Sequence, residues 1–533
     1  MTTPIANRPA PPAPRTGAVS QPPVPPAARE AARTEGGSQA TELMELAAAA
    51  RFWHDEDATA YATIEVHSWR EHWRLRGRPF AQWLARRYFE NHDRAPRAAA
   101  VADALNQLEA RARFDGERHR SFLRVASHEG RIFLDLADRH WRAAAIGAGH
   151  WEVVERPEVR FRRAKAMLAL PKPIGGGSLT LLRQFINVHD DDWPMVAAWL
   201  VAALRPTGPY PVLFLHGEQG SGKSTQARML RSLIDPNSAS LRAAPRNTHD
   251  LAVAANNAWV ISLDNLSRLP WWLSDALCRL SSGSGFSTRA LYEDDEEAVF
   301  SSQRPVLVNG IDDLATRGDL LDRAVVVHLP AIAAGKRRTE AQLWGDFEKQ
   351  RPAVLGALLD AVATAQARLS SVALAELPRM ADFAQWAAAA GQSLGCAPDA
   401  FEMRFARHRI ELERMCLESC PIGDPLLRIA ERNTWRGTAG MLLLELDSIS
   451  LARQRAHRDW PRGFSHLGSL LRRLAPSLRT FGLHVEFLRE GHQGERIIEV
   501  RLSPEAQAIL QRRDAATAQT SNALKLQTPA PRM

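Results

Sequence analysis

Eight consecutive residues, Gly217-Glu218-Gln219-Gly220-Ser221-Gly222-Lys223-Ser224, have the types and spacing to hold a polyphosphate. Glycines let a backbone turn tightly enough for several N–H groups to point inward at phosphate oxygens. A lysine at the seventh position reaches the β- and γ-phosphates, and the hydroxyl beside it holds Mg²⁺. Lys223, Ser224 and the following Thr225 supply these groups. The chain has only six lysines, and one of them completes this loop. The expected ligands are therefore ATP and Mg²⁺.

Such a loop works only between a buried strand and a helix whose positive dipole end meets the phosphates. The apolar run 212–215 precedes it and the periodic run 226–230 follows it. A second apolar run, 259–263, ends in Asp264-Asn265, where a carboxylate holds Mg²⁺ through water. A third, 305–308, ends in Asn309-Gly310, and an amide there positions water or senses the γ-phosphate. A fourth, 324–329, follows Arg323. An arginine before such a strand can be offered to a neighbouring subunit's nucleotide, to offset charge on the transferring phosphoryl group. Arg317 competes for that role. A surface ion pair with Asp319 or Asp322 is the plain alternative for either.

These elements need a large, soluble setting. With 533 residues, 45% of them hydrophobic, about three domains of roughly 150 residues are expected. No apolar run reaches the ~18 residues of a membrane span, and no signal segment is evident, so the expected location is the cytoplasm and no membrane partner. Four cysteines in so long a chain suit a reducing compartment. Cys416, Cys420 and His408 share a helical spacing but lack a second ligand pair, so ordinary packing is expected. The net charge of +8 suits a nucleic-acid partner. Nearly all of it is arginine, so location carries the inference rather than the total.

The chain divides by composition. Residues 1–40 read as a disordered arm, 41–170 as an α/β module of unknown role, 171–330 as the nucleotide-binding core, 331–424 as a helical region, 425–505 as a compact basic module, and 506–533 as a disordered tail. Within 41–170, Phe80, Trp83, Leu84 and Tyr88 mark one helix face and Ala104, Leu105, Leu108 and Ala112 another. Runs 122–126, 131–136 and 141–146 alternate as strands. The cluster His189-Asp190-Asp191-Asp192 precedes an apolar helix with Pro194 in its first turn, so helix-start acids are expected before a metal site. The helical region reads as segments 339–350, 352–369, 380–394 and 401–417.

The four strand-end signatures resemble the AAA+ ATPases, and more closely the superfamily-3 helicases and related replication proteins of viruses, phages and plasmids, including the poxvirus primase-helicase group. The resemblance rests on 217–224, 260–265 and 306–310, and on the interval 277–289 between the last two. It covers about 150 residues well, and extends to a group of uncharacterised bacterial mobile-element ATP-binding proteins. It implies an α/β AAA+ core of the P-loop NTPase type and a homo-oligomeric ring. In that family the interval holds a β-hairpin whose basic residue meets DNA in the ring channel. Arg289 occupies that place here, on a hairpin of 286–291 and 297–300 around the acidic tip 293–296. One departure matters: many members carry a second acid where this chain has Asn265, which can orient water but cannot take its proton.

In the basic module, helices are followed by two alternating strands, 484–488 and 496–500, around a glycine turn. This looks like a winged helix, with Arg472, Arg473 and Arg479 projecting around the helix 464–481 to bind phosphates. Acidic residues on the wing, Glu486, Glu490, Glu495 and Glu499, oppose wing–DNA contact. The reading is an ATP-hydrolysing helicase, translocase or replication-initiation ATPase of a mobile element, acting on single-stranded or forked DNA, with any primase on a separate chain. Its rivals are an ATP-dependent DNA-binding switch or loader with little turnover, a DNA-binding regulator that uses ATP to oligomerise, and a small-molecule P-loop kinase.

Overall fold

The computed structural model describes residues 38–507, apart from 268, 284–285, 290–296, 301, 311–317, 375–376, 419, 458 and 491–493. The arm before 38, the tail after 507, the acidic tip 293–296 and Arg317 lie outside the described residues. The chain forms two compact units, one of residues up to 65 with 72–119, the other of 66–71 with everything from 120 onward.

Before residue 120, α1 (Gln39–Leu46) leads to β1 (Ala50–His54), β2 (Ala60–Val66) and β3 (Trp69–Arg74). Then come α2 (Arg78–His92), α3 (Ala98–Phe114) and β4 (Glu117–Arg118), with sheet order β3-β2-β1-β4. The helical spacing read from sequence holds: Phe80, Leu84 and Tyr88 are buried along α2, and Ala104, Leu105, Leu108 and Ala112 along α3. The β1–β3 strands, rich in aromatic and charged residues, were not foreseen.

The second unit begins with β5 (Ser121–Phe122), then β6 (Val125–His128), β7 (Arg131–Asp135), β8 (Ala143–Gly147), β9 (His150–Val154) and β10 (Arg160–Phe161). β6 to β9 form an antiparallel meander. These strands cluster with the parallel sheet that follows rather than with the helices before them, so the compact units divide the segment 41–170 at 119/120. Arg124 gives a physical reason. Its fully buried guanidinium donates to Asp235 Oδ1 (3.0 Å), to the Asp135 carbonyl (2.9 Å) and to the Leu168 carbonyl (2.9 Å). Asp235 in turn accepts from Trp259 N (2.9 Å) and Val260 N (3.1 Å). One buried ion pair thus ties the meander to the core's own strand entry.

Next come α4 (Thr180–Arg183), α5 (Trp193–Ala202), β11 (Val212–His216), α6 (Lys223–Ile234), α7 (Thr248–Asn257) and β12 (Ile261–Leu266). After them follow α8 (Trp271–Ser282), β13 (Phe286–Arg289), β14 (Glu297–Phe300), β15 (Val306–Gly310), α9 (Gly318–Leu321) and β16 (Ala324–His328). β11, β12, β15 and β16 make an all-parallel sheet in the order β12-β15-β11-β16. Both faces are covered, as a parallel sheet requires. Leu213 and Leu215 of β11 pack with α5, every residue of which is buried. The alternate residues Val212 and Phe214 pack on the other face with Leu251 of α7 and Leu273 and Leu277 of α8. Asp190–Asp192 form a 3₁₀ turn leading into α5 but make no side-chain cap. Asp192 pairs instead with Arg404 at 2.7 Å, and Asp190 with Arg183.

The helical region differs from the sequence reading at one residue. Pro352 was expected to separate two helices, yet α10 (Glu340–Arg368) runs straight through it. A proline inside a helix costs a hydrogen bond and a steric clash. Packing offsets that cost: Ile174 N donates to the Pro352 carbonyl at 3.0 Å, and the chain at 174–177 lies so close that a Cβ on Gly356 would fall 1.9 Å from the Ile174 carbonyl. α11 (Ala381–Ala390) and α12 (Ala400–Glu418) complete this region.

The last segment contains α13 (Gly423–Arg432), β17 (Trp435–Thr438), α14 (Ala439–Ile449), α15 (Ala452–Arg455), α16 (Phe464–Thr480), β18 (Leu483–Glu490) and β19 (Glu495–Leu502). Its antiparallel sheet has the order β17-β19-β18. β17 was not read from sequence, because four residues with one glycine carry too little alternation.

Candidate functional site

The glycine-rich loop leaves the C-terminal end of β11, beside β15 and β16. Three of its glycines are required by geometry. Gly220 and Gly222 sit in left-handed conformation, each at φ 84°. Gly217 has φ 153°, and a Cβ there would fall 2.5 Å from the Leu329 carbonyl. Gly222 also opens α6, where it offers no side-chain cap, so the positive end of that helix faces the loop. Lys223 folds back over the loop, its Nζ donating to the Gly217 carbonyl (2.6 Å) and the Glu218 carbonyl (2.8 Å).

Ser224 Oγ donates to Asp264 Oδ1 at 2.8 Å, although 40 residues separate them. Asp264 and Asn265 sit at an irregularity in β12, where the register against β15 shifts between Leu263 and Leu266. A bulge of this kind re-aims side chains at a sheet edge. The Asp264 N–H donates to the Arg242 carbonyl at 2.8 Å, which fixes its backbone. A hydroxyl and a carboxylate are the hard oxygen donors that suit Mg²⁺.

Asn309 is the penultimate residue of β15, between the strands carrying Asp264 and the loop. It is buried, and its Oδ1 accepts the backbone N–H of Asn265 at 2.8 Å. Its Nδ2 has no partner among the described residues. Asn265 itself adopts φ 54°, which asparagine tolerates better than most residues, with its side chain exposed. The sheet therefore gathers Lys223, Ser224, Asp264, Asn265 and Asn309 at one end.

It does not place Arg323 there. Arg323 precedes β16 at the opposite end of the sheet, about 16 Å of strand from the loop at ~3.3 Å per residue. Its Nη1 donates to the Asp319 carbonyl at 2.8 Å. The carboxylates of Asp319 and Asp322 pair instead with Arg379, at 3.5 and 2.6 Å. Arg289 lies on β13, in register with Glu297 of β14.

Two contributors escaped the sequence reading, and a third, His408, has a contact that its spacing alone does not show. Asn187 donates to the Ser221 carbonyl (3.1 Å) and the Pro330 carbonyl (2.6 Å), lacing the loop to the chain after β16. Nothing around Asn187 in the sequence signals this. Arg337 extends to the loop: its Nη2 is 3.9 Å from where a Cβ on Gly220 would lie. The basic run Lys336-Arg337-Arg338 so soon after a core strand was its available signal. His408 on α12 accepts the Val326 N–H of β16 at its Nε2 (2.9 Å) and so closes an open sheet edge. Burial, reinforced by Arg404, holds its imidazole down to about 4. Its role here is structural, and Cys420 is not in a disulfide.

In the C-terminal segment the hairpin sorts its charges by face. On β18, Leu483 and Val485 are buried, and Phe487 and Arg489 continue that face. On β19 the same face carries Arg496 and the buried Ile498, Val500 and Leu502. The four acids named above occupy the opposite face. Glu486 pairs with Arg501 at 2.8 Å, Glu490 with Arg436, and Glu499 lies 3.5 Å from Arg501. Arg472 of α16 sits over the Phe487 ring, 5.0 Å from its centroid. An open groove of about 670 Å³ follows, lined among others by Phe464, Gly468, Arg472, Phe487, Arg489 and Arg496. Arg473 and Arg479 are exposed on the same helix.

Residues 179–401 match the family model described as the actinomycete integrative conjugative element replication protein, and residues 422–519 match that of the RepA C-terminal domain of the same elements. The coarse assignment these matches carry is a replication protein of a mobile element. No curated protein matches the chain. Among solved structures, an apo structure of the NrS-1 C-terminal region is 10% identical, covering 86% of this chain and 98% of that chain at a TM-score of 0.38. A second, of its residues 305–718, is 10% identical and covers 87% and 99% at 0.37. At that TM-score the likeness bears no weight.

Proposed function

We propose that this replication protein is an ATPase of the AAA+ type, close to the superfamily-3 helicases, that moves on or remodels DNA during replication of its mobile element. The observation that carries the reading is the meeting of Lys223, Ser224, Asp264 and Asn309 at one end of a parallel sheet. Ligands of such sheets bind at the carboxyl ends of the strands. A side chain at Gly217 would collide with the Leu329 carbonyl, and the positive φ of Gly220 and Gly222 disfavours one there. In this reading the loop N–H groups and Lys223 take the triphosphate. Ser224 and Asp264 hold Mg²⁺, which when bound neutralises charge on the phosphoryl group. Asn309 holds Asn265 in place to orient water. Arg323, at the far end of the sheet, serves a neighbouring subunit's nucleotide in a ring. The C-terminal segment acts as a winged helix on DNA.

The test is phosphate release with and without single-stranded DNA. DNA-stimulated turnover supports the motor. Tight ATP binding with negligible turnover transfers the reading to an ATP-dependent switch or loader. Asn265 favours that second reading, since an amide cannot take a proton from water.

A further inference from the structure

Three imidazoles stand beside the glycine-rich loop, each on a different segment that touches it. His216 ends β11 and directly precedes Gly217. His328 ends β16 and is its register partner across the sheet. His189 lies two residues beyond Asn187, the side chain that laces the loop to Pro330. The Leu329 N–H donates to the His216 carbonyl at 2.7 Å, so the segment leaving β16 is pinned along the loop. Farther along it, Ile332 Cδ1 is 3.3 Å from where a Cβ on Gly222 would lie.

Two of the three rings present nearly parallel planes. His189 and His328 are nearly parallel, 19° apart, with centroids 6.4 Å from each other. His216 meets His328 at 5.4 Å and 58°, buttressing it from the side. Stacked bases are spaced ~3.4 Å apart, so two faces that admit one planar ring lie about twice that distance from each other. Both His189 and His328 are exposed, so the pair is not needed to fill a core. Phosphate binding alone gives no reason for planar faces at this spot, whereas every nucleobase has a π-face to offer them.

We propose that His189 and His328 form the nucleobase site for the nucleotide whose phosphates the loop takes, with His216 positioning His328. The inference rests on the nucleotide-binding reading above. Recognition by stacking rewards aromatic area, so the ligand class is a purine nucleoside triphosphate in preference to a pyrimidine one.

Equilibrium binding of ATP, CTP and inorganic tripolyphosphate to the full chain tests it. Replacing either exposed imidazole, in His189→Ala or His328→Ala, is expected to weaken ATP about tenfold, the scale of one lost base–aromatic stack, and to leave tripolyphosphate unchanged. His328→Phe, which keeps a planar face, is expected to stay within about threefold of the parent for ATP. Unchanged ATP affinity in both alanine variants overturns the proposal, as does an equal loss for ATP and tripolyphosphate. So does CTP binding as tightly as ATP. Lys223→Ala is read separately: if it binds ATP as the parent does, the phosphate-loop reading fails, whatever the histidine variants do.

Discussion

The loop end of the parallel sheet and the C-terminal hairpin solve opposite problems. At the sheet, side chains from separate segments are brought to one spot, and several are oriented by another: Ser224 by Asp264, Asn265 by Asn309, the loop by Asn187. At the hairpin, nothing converges. Arginines spread along α16 and one face of β18 and β19, while the acids are turned to the other face, where Glu490 meets Arg436 and Glu486 meets Arg501. A point-like site depends on distances between side chains. A surface site depends on which face each charge occupies.

Substitutions should therefore separate the two regions. The largest effect is expected from Arg323→Ala. If Arg323 completes a neighbour's site, turnover should fall about a thousandfold while ATP affinity stays within a few-fold. Arg317→Ala doing this instead would move the role to that residue. Lys223→Ala should weaken ATP about a hundredfold by removing a charge-assisted contact to phosphate, with DNA affinity of the nucleotide-free protein unchanged. Isothermal titration with each ligand reads both.

Acid should loosen the sheet region through His408. Its unfolded pKa is about 6.5, and burial lowers the folded value to about 4. Between those values the unfolded chain binds a proton that the folded chain refuses. The stabilisation is therefore complete above pH ~6.5 and is lost as pH falls towards 4, reaching about 2 kcal/mol by pH 5. Urea unfolding at pH 7.5 and 5 should show this loss, and His408→Gln should abolish it. Amide exchange at Val326 should rise before exchange at Ile498.

The contrast also explains what the sequence made legible. The loop, Asp264 and Asn309 announce themselves because chemistry fixes residue type, and apolar runs fix their strand ends. The Asn187 laces and the Arg337 approach depend on chain segments more than 30 residues away or on a loop path, which local pattern does not encode. Pro352 was misread for a related reason: its local preference is to break a helix, and contacts with 174–177 override it. On the hairpin, Glu486, Glu490, Glu495 and Glu499 are legible as acids from composition, but that all four share one side follows only from the period of two and the strand register.

The smallest effect tests that sorting directly. Arg472→Ala should weaken single-stranded DNA binding several-fold and reduce the slope of log affinity against log salt by about 1, the share of a single phosphate contact. Arg501→Ala removes the same formal charge from the acidic face, where Arg501 is engaged with Glu486 and Glu499. It should leave affinity within about twofold and the salt slope unchanged, because screening limits the reach of a charge to about 10 Å at 0.1 M salt. Equal losses in the two variants would mean that DNA responds to the total charge of the segment, and the division between hairpin faces would then have no bearing on binding.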